Sequence, residues 1–320
     1  MMKWNKKGLL FNPAEYNLTN NCKEFAQSPQ ALVFDNFVRI YFSTRTKDSL
    51  GQYLSFISYV DFDLNLTQVL NVSHNTVLDL GCLGTFDEHG IFPISPLRIK
   101  DRILAYTTGW SRRVSVPVET GIGIVESFDN GETFHRLSNG PILSSSLHEP
   151  FLVGDAFVKN YNDLFYMFYI FGSKWMSKSI DEIESRVYKI GLAKSKDGLN
   201  WTKNEGKKII SDVLNENECQ ALPTVIKVGN LYHMFFCYRE STNFRKNKDR
   251  GYKLGYAYSY DLENWVRDDS KSGIGSSENQ WDSDMKCYPH LFEVKEKIFI
   301  LYNGNEFGRF GFGAAELIDF

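Results

Sequence analysis

The chain has 320 residues, 42% of them hydrophobic and 23% charged, with a formal net charge of −3. That balance is ordinary for a folded globular protein and offers no general positive field for a phosphate backbone, which argues against nucleic acid as a partner. No apolar run approaches a membrane span and residues 1–10 lack a signal-peptide core, so no membrane partner and a cytoplasmic place are expected.

The first predicted element is a strand led by Trp4, with Lys6, Gly8 and Leu10 following. Next comes an apolar strand over residues 29–41 that opens with Pro29 and ends in aromatics, and the pattern returns over 93–106, 223–235 and 289–302. In the third unit, Ala156-Phe157-Val158-Lys159 laid on Thr224-Val225-Ile226-Lys227 sets Asp155 at the place of Pro223, giving offsets of 64, 62, 68 and 66. Each unit runs on through an aromatic strand, a Gly-x-Ala type strand and a Ser-x-Asp turn to a Trp or Phe, as in residues 123–134, 191–201 and 255–265. Repetition at this interval means that one supersecondary unit is stacked. Glycine and asparagine at the turns, β-branched and aromatic runs between them, and no sustained helical period make the unit four strands. Repeated radially, it predicts an all-β, five-bladed β-propeller in one domain over residues 1–320. The last unit stops at its third strand, 312–317, and the Trp4 segment matches Trp201-Thr202-Lys203, so the N-terminal strand is expected to close the last blade and cover its edge.

Cys22, Cys82, Cys219, Cys237 and Cys287 form no Cys-x-x-Cys pair, so free thiols are expected, with no metal site and no cofactor. Asp129, Asp197 and Asp261 are expected to bind backbone N–H groups of their own turns. A second set of carboxylates precedes the innermost strands, which line a propeller's tunnel. Glu24, Glu88, Glu218 and Asp284 stand five residues before the proline, Glu149 stands six before Asp155, and Asp87 and Asp282 lie nearby. Acids gathered at one mouth raise one another's pKa and persist where a cation, a positive partner or a reaction uses them. Paired carboxylates cleave glycosidic bonds, one protonating the leaving oxygen and one activating water or attacking carbon, so a saccharide is the expected substrate. Arg239 is placed to grip a carboxylate or phosphate, or to pair with Glu240. Trp110 either stacks on a sugar face or packs between blades. His89 and His290 are candidates for proton transfer or for structural hydrogen bonds. Asn303 and Asn305, set among glycines, suit sugar hydroxyls or local turns.

The five-fold repeat, residues 84–93 with Asp87 and Glu88, and the run Asp284-Met285-Lys286-Cys287-Tyr288-Pro289 resemble the five-bladed propeller glycosidase superfamily of arabinanases, levansucrases and invertases. Residues 302–308 and 310–313 resemble an uncharacterised branch associated with bacterial surface-polysaccharide gene sets. The resemblance implies a glycoside hydrolase of polysaccharide metabolism. In arabinanase-type members an aspartate just before the blade-one proline is the base, a blade-three aspartate tunes pKa, and a blade-four glutamate is the acid. Asp155 matches the tuning residue and Glu218 is taken as the acid. Ser28 occupies the base position, so Asp87, Glu88 or Asp284 is expected to substitute, with Arg239, Trp110, His89, Glu149, Asn303, Asn305, Tyr288 and His290 shaping the substrate pocket. The missing aspartate keeps open phosphorolysis or sugar transfer, and a non-catalytic glycan-binding propeller is the other alternative.

Overall fold

The computed structural model describes residues 1–176, 185–278 and 280–320. Its runs of Val, Ile, Phe and Tyr form strands, and among the described residues helix is confined to short 3-10 turns and a single turn at Asn305–Gly308. After β1 (Lys3–Phe11) the strands fall into successive antiparallel groups. The first is β2 (Gln27–Val33), β3 (Val38–Lys47), β4 (Tyr53–Phe62) and β5 (Val69–Val72); the second is β6 (Gly90–Ile99), β7 (Arg102–Arg112), β8 (Val118–Ser127) and β9 (His135–Arg136). The third is β10 (Val153–Tyr161), β11 (Leu164–Met176), β12 (Ser185–Ser195) and β13 (Thr202–Lys203); the fourth is β14 (Cys219–Val228), β15 (Leu231–Arg239), β16 (Lys253–Ser259) and β17 (Val266–Arg267). The last group is β18 (Cys287–Val294), β19 (Lys297–Asn303) and β20 (Phe312–Asp319), and β1 completes it by pairing antiparallel with β20. One parallel bridge, Ser55 to Gly90, joins the first two groups. The leading strands touch in cyclic order, β2 to β6, β10, β14 and β18, and β18 returns to β2.

Aromatic residues make the seams between groups. Tyr41 meets Phe134, Tyr106 meets Trp201, Phe168 meets Trp265 and Phe235 meets Trp4, each pair edge-on with centroids 5.7 Å apart. Trp4 thus fills the place in the last group that Trp201 and Trp265 fill in theirs, and such pairs contribute about 0.5–1.5 kcal/mol beyond burial. The turn aspartates behave as expected: Asp197 accepts from the N–H groups of Leu199 and Asn200, and Asp261 from those of Glu263 and Asn264.

Every leading strand slips register near its start, between Gln27 and Gln30, Ile91 and Ile94, Gly154 and Phe157, Ala221 and Thr224, and Cys287 and His290. At this bulge Ser28, Asp155, Leu222 and Tyr288 have φ of 54°, 54°, 47° and 56°. Asp155 is therefore equivalent to the residue before the proline, and Ala156 takes the proline's place. The alignment of Lys159 with Lys227 is one residue out, because the hairpin pairs Tyr161 with Leu164 as it pairs Val228 with Leu231. A one-residue slip turns every side chain to the other face. Left-handed backbone at a residue with a side chain costs about 1–2 kcal/mol, so these bulges are held by the surrounding sheet.

Candidate active site

The recurring carboxylates do not gather as free acids at the tunnel mouth. Asp87 binds Arg136, Glu149 binds Lys203, Glu218 binds Arg267 and Asp282 binds Lys6, at 2.6–2.8 Å. All four carboxylates are buried. In each pair the cation lies two residues beyond the Phe or Trp that leads the outermost strand: Phe134, Trp201, Trp265 and Trp4. The pair is a staple inside one group, from the approach to the innermost strand to the outermost strand. Neutral donors complete it. Glu149 also accepts from Tyr169 Oη at 2.7 Å and Gly206 N at 3.0 Å. Glu218 accepts from Val213 N, Leu214 N and Gln220 Nε2 at 2.9–3.0 Å. With every oxygen engaged, Glu218 is not placed to act as a general acid, nor Asp87 as its partner base.

Glu88 accepts from Gly84 N and faces His89 Nδ1 at 3.2 Å, and Asp284 pairs with Lys248 at 2.6 Å. Asn303 is a buried latch between the last group and the first: its Oδ1 accepts from Ser28 N, and its Nδ2 donates to the carbonyls of Ala26 and Gly311. Asn305 Oδ1 accepts from the N–H groups of Asp284 and Met285. Neither amide is free for a sugar. His290 is buried, and burial, followed by the charge of Lys159, pushes its pKa down to about 3, so it is neutral and not a proton shuttle near neutrality. Burial, then Arg112, also lowers His89, which stacks on half-buried Trp110 at 5.9 Å.

Antiparallel pairing puts the starts of the first and third strands and the end of the second on one side of each group. Asp155 and Tyr288 arrive there on first strands, Arg45 and Arg239 at or near the ends of second strands, and Arg186 and Tyr188 on a third strand. The bulge holds Asp155, whose N–H donates to Thr108 Oγ1 at 2.7 Å. Burial raises its carboxyl pKa to about 7, against the opposing pull of Arg186 and the Leu222 N–H. Tyr288 lies edge-on to Phe92 at 5.3 Å and to Tyr252 at 5.6 Å. Tyr252 and Tyr188 share a hydrogen bond through their hydroxyls. Arg239 Nη2 donates to Tyr188 Oη at 2.9 Å, and Nη1 donates to the backbone carbonyl of Glu240, whose carboxylate is taken by Asn215 and Arg250. Two buried polar atoms of the first group, Ser28 Oγ and Gln27 Oε1, have no partner among the described residues. Of the expected site residues, Asp155, Tyr288 and Arg239 thus come together. Arg45, Arg186, Arg245, Tyr188 and Tyr252 join them without having been singled out, although arginines near the ends of second strands, Arg45, Arg112 and Arg239, were a readable signal. No group of three His, Cys, Asp or Glu side chains among the described residues is placed to hold a metal ion.

The fold is a β-propeller of the kind seen in glycoside hydrolases. A solved glycoside hydrolase superposes with a TM-score of 0.73 at 18% identity, over 99% of this chain and 92% of the other. A thermostable family-43 glycoside hydrolase gives 0.65 at 15% identity over 92% and 89%. The β-1,2-mannobiose phosphorylase from Listeria innocua gives 0.67 at 11% identity over 99% and 96%. No family model matches the chain. The sequence is 32% identical over 317 residues, 99% of each chain, to Uncharacterized protein MT1551 of Mycobacterium tuberculosis (strain CDC 1551 / Oshkosh). It matches Uncharacterized protein Rv1502 of Mycobacterium tuberculosis (strain ATCC 25618 / H37Rv) to the same extent. The chain belongs to the family of these mycobacterial proteins.

Proposed function

We propose that residues 1–320 form a single five-bladed ring whose mouth breaks a glycosidic bond, with Asp155 as the general acid. The observation that carries this reading is the carboxyl of Asp155, buried at the convergence of the leading strands and raised to about 7 by its burial. A general acid works best with a pKa near the operating pH. The cyclic contact of the leading strands and the pairing of β1 with β20 support the ring, and the propeller glycosidases and the mannobiose phosphorylase of like fold support a saccharide. Cytoplasmic polysaccharide metabolism is part of the proposal, supported by the buried thiols Cys219, Cys237 and Cys287.

As the bond from the anomeric carbon to the leaving oxygen breaks, Asp155 gives that oxygen its proton. In hydrolysis the attacking water must lose a proton to a second carboxylate. The position before Pro29 holds Ser28, Glu218 is saturated by its donors, Asp87 is paired with Arg136, Glu88 is engaged by Gly84 N and His89, and Asp284 is paired with Lys248, so phosphorolysis is the better-supported of the two reactions. A phosphate dianion attacks without a base, the products are a sugar phosphate and an alcohol, and Asp155 regains its proton from solvent. The test is a panel of glycosides incubated with and without inorganic phosphate, analysed for sugar phosphate and for free reducing sugar. Phosphate-dependent sugar phosphate supports this reading, and phosphate-independent release of reducing sugar supports hydrolysis. Tight glycan binding with no turnover in either arm supports the non-catalytic alternative.

A further inference from the structure

We propose that the mouth contains an oxyanion site, built by Arg45, Arg186, Arg239 and Arg245, for a phosphate- or carboxylate-class anion borne on the saccharide or bound free beside it. The inference rests on the saccharide reading of this mouth and names the group recognised there.

Several arginines elsewhere in the protein are met by carboxylates: Arg39 by Asp61, Arg136 by Asp87, Arg267 by Glu218 and Asp269, Arg309 by Glu24 and Glu306. Among the described residues no carboxylate pairs with any of the four at the mouth. Arg239 is 5% exposed, yet its partners are the backbone carbonyls of Glu240 and Ser241 and the hydroxyl of Tyr188, all uncharged, and its Nε has none among the described residues. The buried Nε of Arg45 likewise has no partner among the described residues. A charge buried without a counter-charge is costly, so a fold keeps it where a ligand supplies the missing charge.

Aromatic faces hold these guanidinium groups in place without neutralising them. Arg239 and Arg245 share the ring of Phe244, at 3.5 and 4.7 Å from its centroid, and Arg245 also lies 5.4 Å from that of Phe307. Arg45 stands 5.3 Å from the Phe25 ring and 5.8 Å from Tyr53, and Arg186 stands 5.9 Å from Trp175. The groups feel one another. Burial lowers the pKa of Arg45, Tyr288 opposes that, and the charges of Arg245 and Arg186 lower it further. The carboxyl that interacts with this set, Asp155, is partly protonated near neutrality and so offsets only part of one of the four charges. Guanidinium forks match the paired oxygens of a carboxylate or phosphate, which a neutral sugar hydroxyl cannot replace.

Isothermal titration of the full chain with inorganic phosphate, D-glucuronate and glucose tests the site. At least one anion is expected to bind about tenfold or more tighter than glucose, and Arg45→Gln and Arg245→Gln are each expected to weaken it by about tenfold or more. Arg245 is exposed, so its variant keeps the fold, which circular dichroism verifies. Preference for glucuronate assigns the anion to the saccharide, and preference for phosphate assigns it to a free ion. Glucose bound as well as either anion overturns the site and leaves the saccharide reading standing. Anion affinity unchanged in both variants overturns it as well, and failure of all three ligands to bind removes the site and the saccharide reading together.

Discussion

Replacing Glu218 with Gln is expected to damage stability rather than chemistry. Its carboxylate is fully buried against Arg267, whose side chain is 3% exposed. Removing one partner from a buried ion pair costs about 3–5 kcal/mol, because the other charge is left unmet. Arg267 keeps Asp269 at 2.9 Å, and the amide oxygen can still accept from Val213 or Leu214, so the loss lies near the lower end, about 3 kcal/mol. Glu149→Gln removes the one carboxylate that meets Lys203 among the described residues, leaving it Ser144 O and Ser146 Oγ, and should cost nearer 4 kcal/mol. Urea unfolding followed by tryptophan fluorescence reads both losses as a lower midpoint at unchanged slope. Wild-type midpoints for both variants would refute the staple.

Asp155→Asn tests the raised carboxyl through pH. A carboxyl whose folded pKa lies above its unfolded value near 4 destabilises the fold as pH climbs from about 4 to about 7, because the native state is the one that holds the proton; the total reaches about 4 kcal/mol at most. The variant should therefore gain stability over wild type as pH rises through that window, and equal pH dependence of the two unfolding midpoints would contradict it. If Asp155 acts as an acid, kcat/KM for a turned-over glycoside should fall above about pH 7, which a pH–rate profile reads directly. Trp4→Ala removes the edge contact with Phe235 and the Nε1 hydrogen bond to Ser272 O, and should lower stability by about 2–3 kcal/mol by urea titration. Asn303→Ala leaves Ser28 N, Ala26 O and Gly311 O without their partner, and a loss of at least about 3 kcal/mol is expected in the same assay.

The repeat, the turns and the closing strand were legible because each depends on local chemistry. Trp4 matches Trp201 since the two fill equivalent seams, and Asp197 and Asp261 declare their turns by their neighbours. Recurrence of the carboxylates marks equivalent positions without saying what stands opposite. The cations two residues past Phe134, Trp201, Trp265 and Trp4 recur in step with them, and pairing the two series identifies a staple. Matching Lys159 to Lys227 shifts Asp155 by one residue, and only the hairpin register, Tyr161 to Leu164 as Val228 to Leu231, sets it right. Arg45 and Arg186, on strands of separate groups, and Arg245, on the loop after β15, come together only in the fold, a relation that sequence distance hides.

The most direct test sets Asp155→Asn beside Glu218→Gln on a glycoside that the wild-type protein turns over, at a temperature where both variants remain folded. Removal of a general acid typically costs about 10²–10⁴ in rate, so Asp155→Asn should fall by at least about 10² while Glu218→Gln stays within a few-fold of wild type. The opposite ranking, with Glu218→Gln inactive and Asp155→Asn near wild type, would contradict the assignment of the chemistry to Asp155.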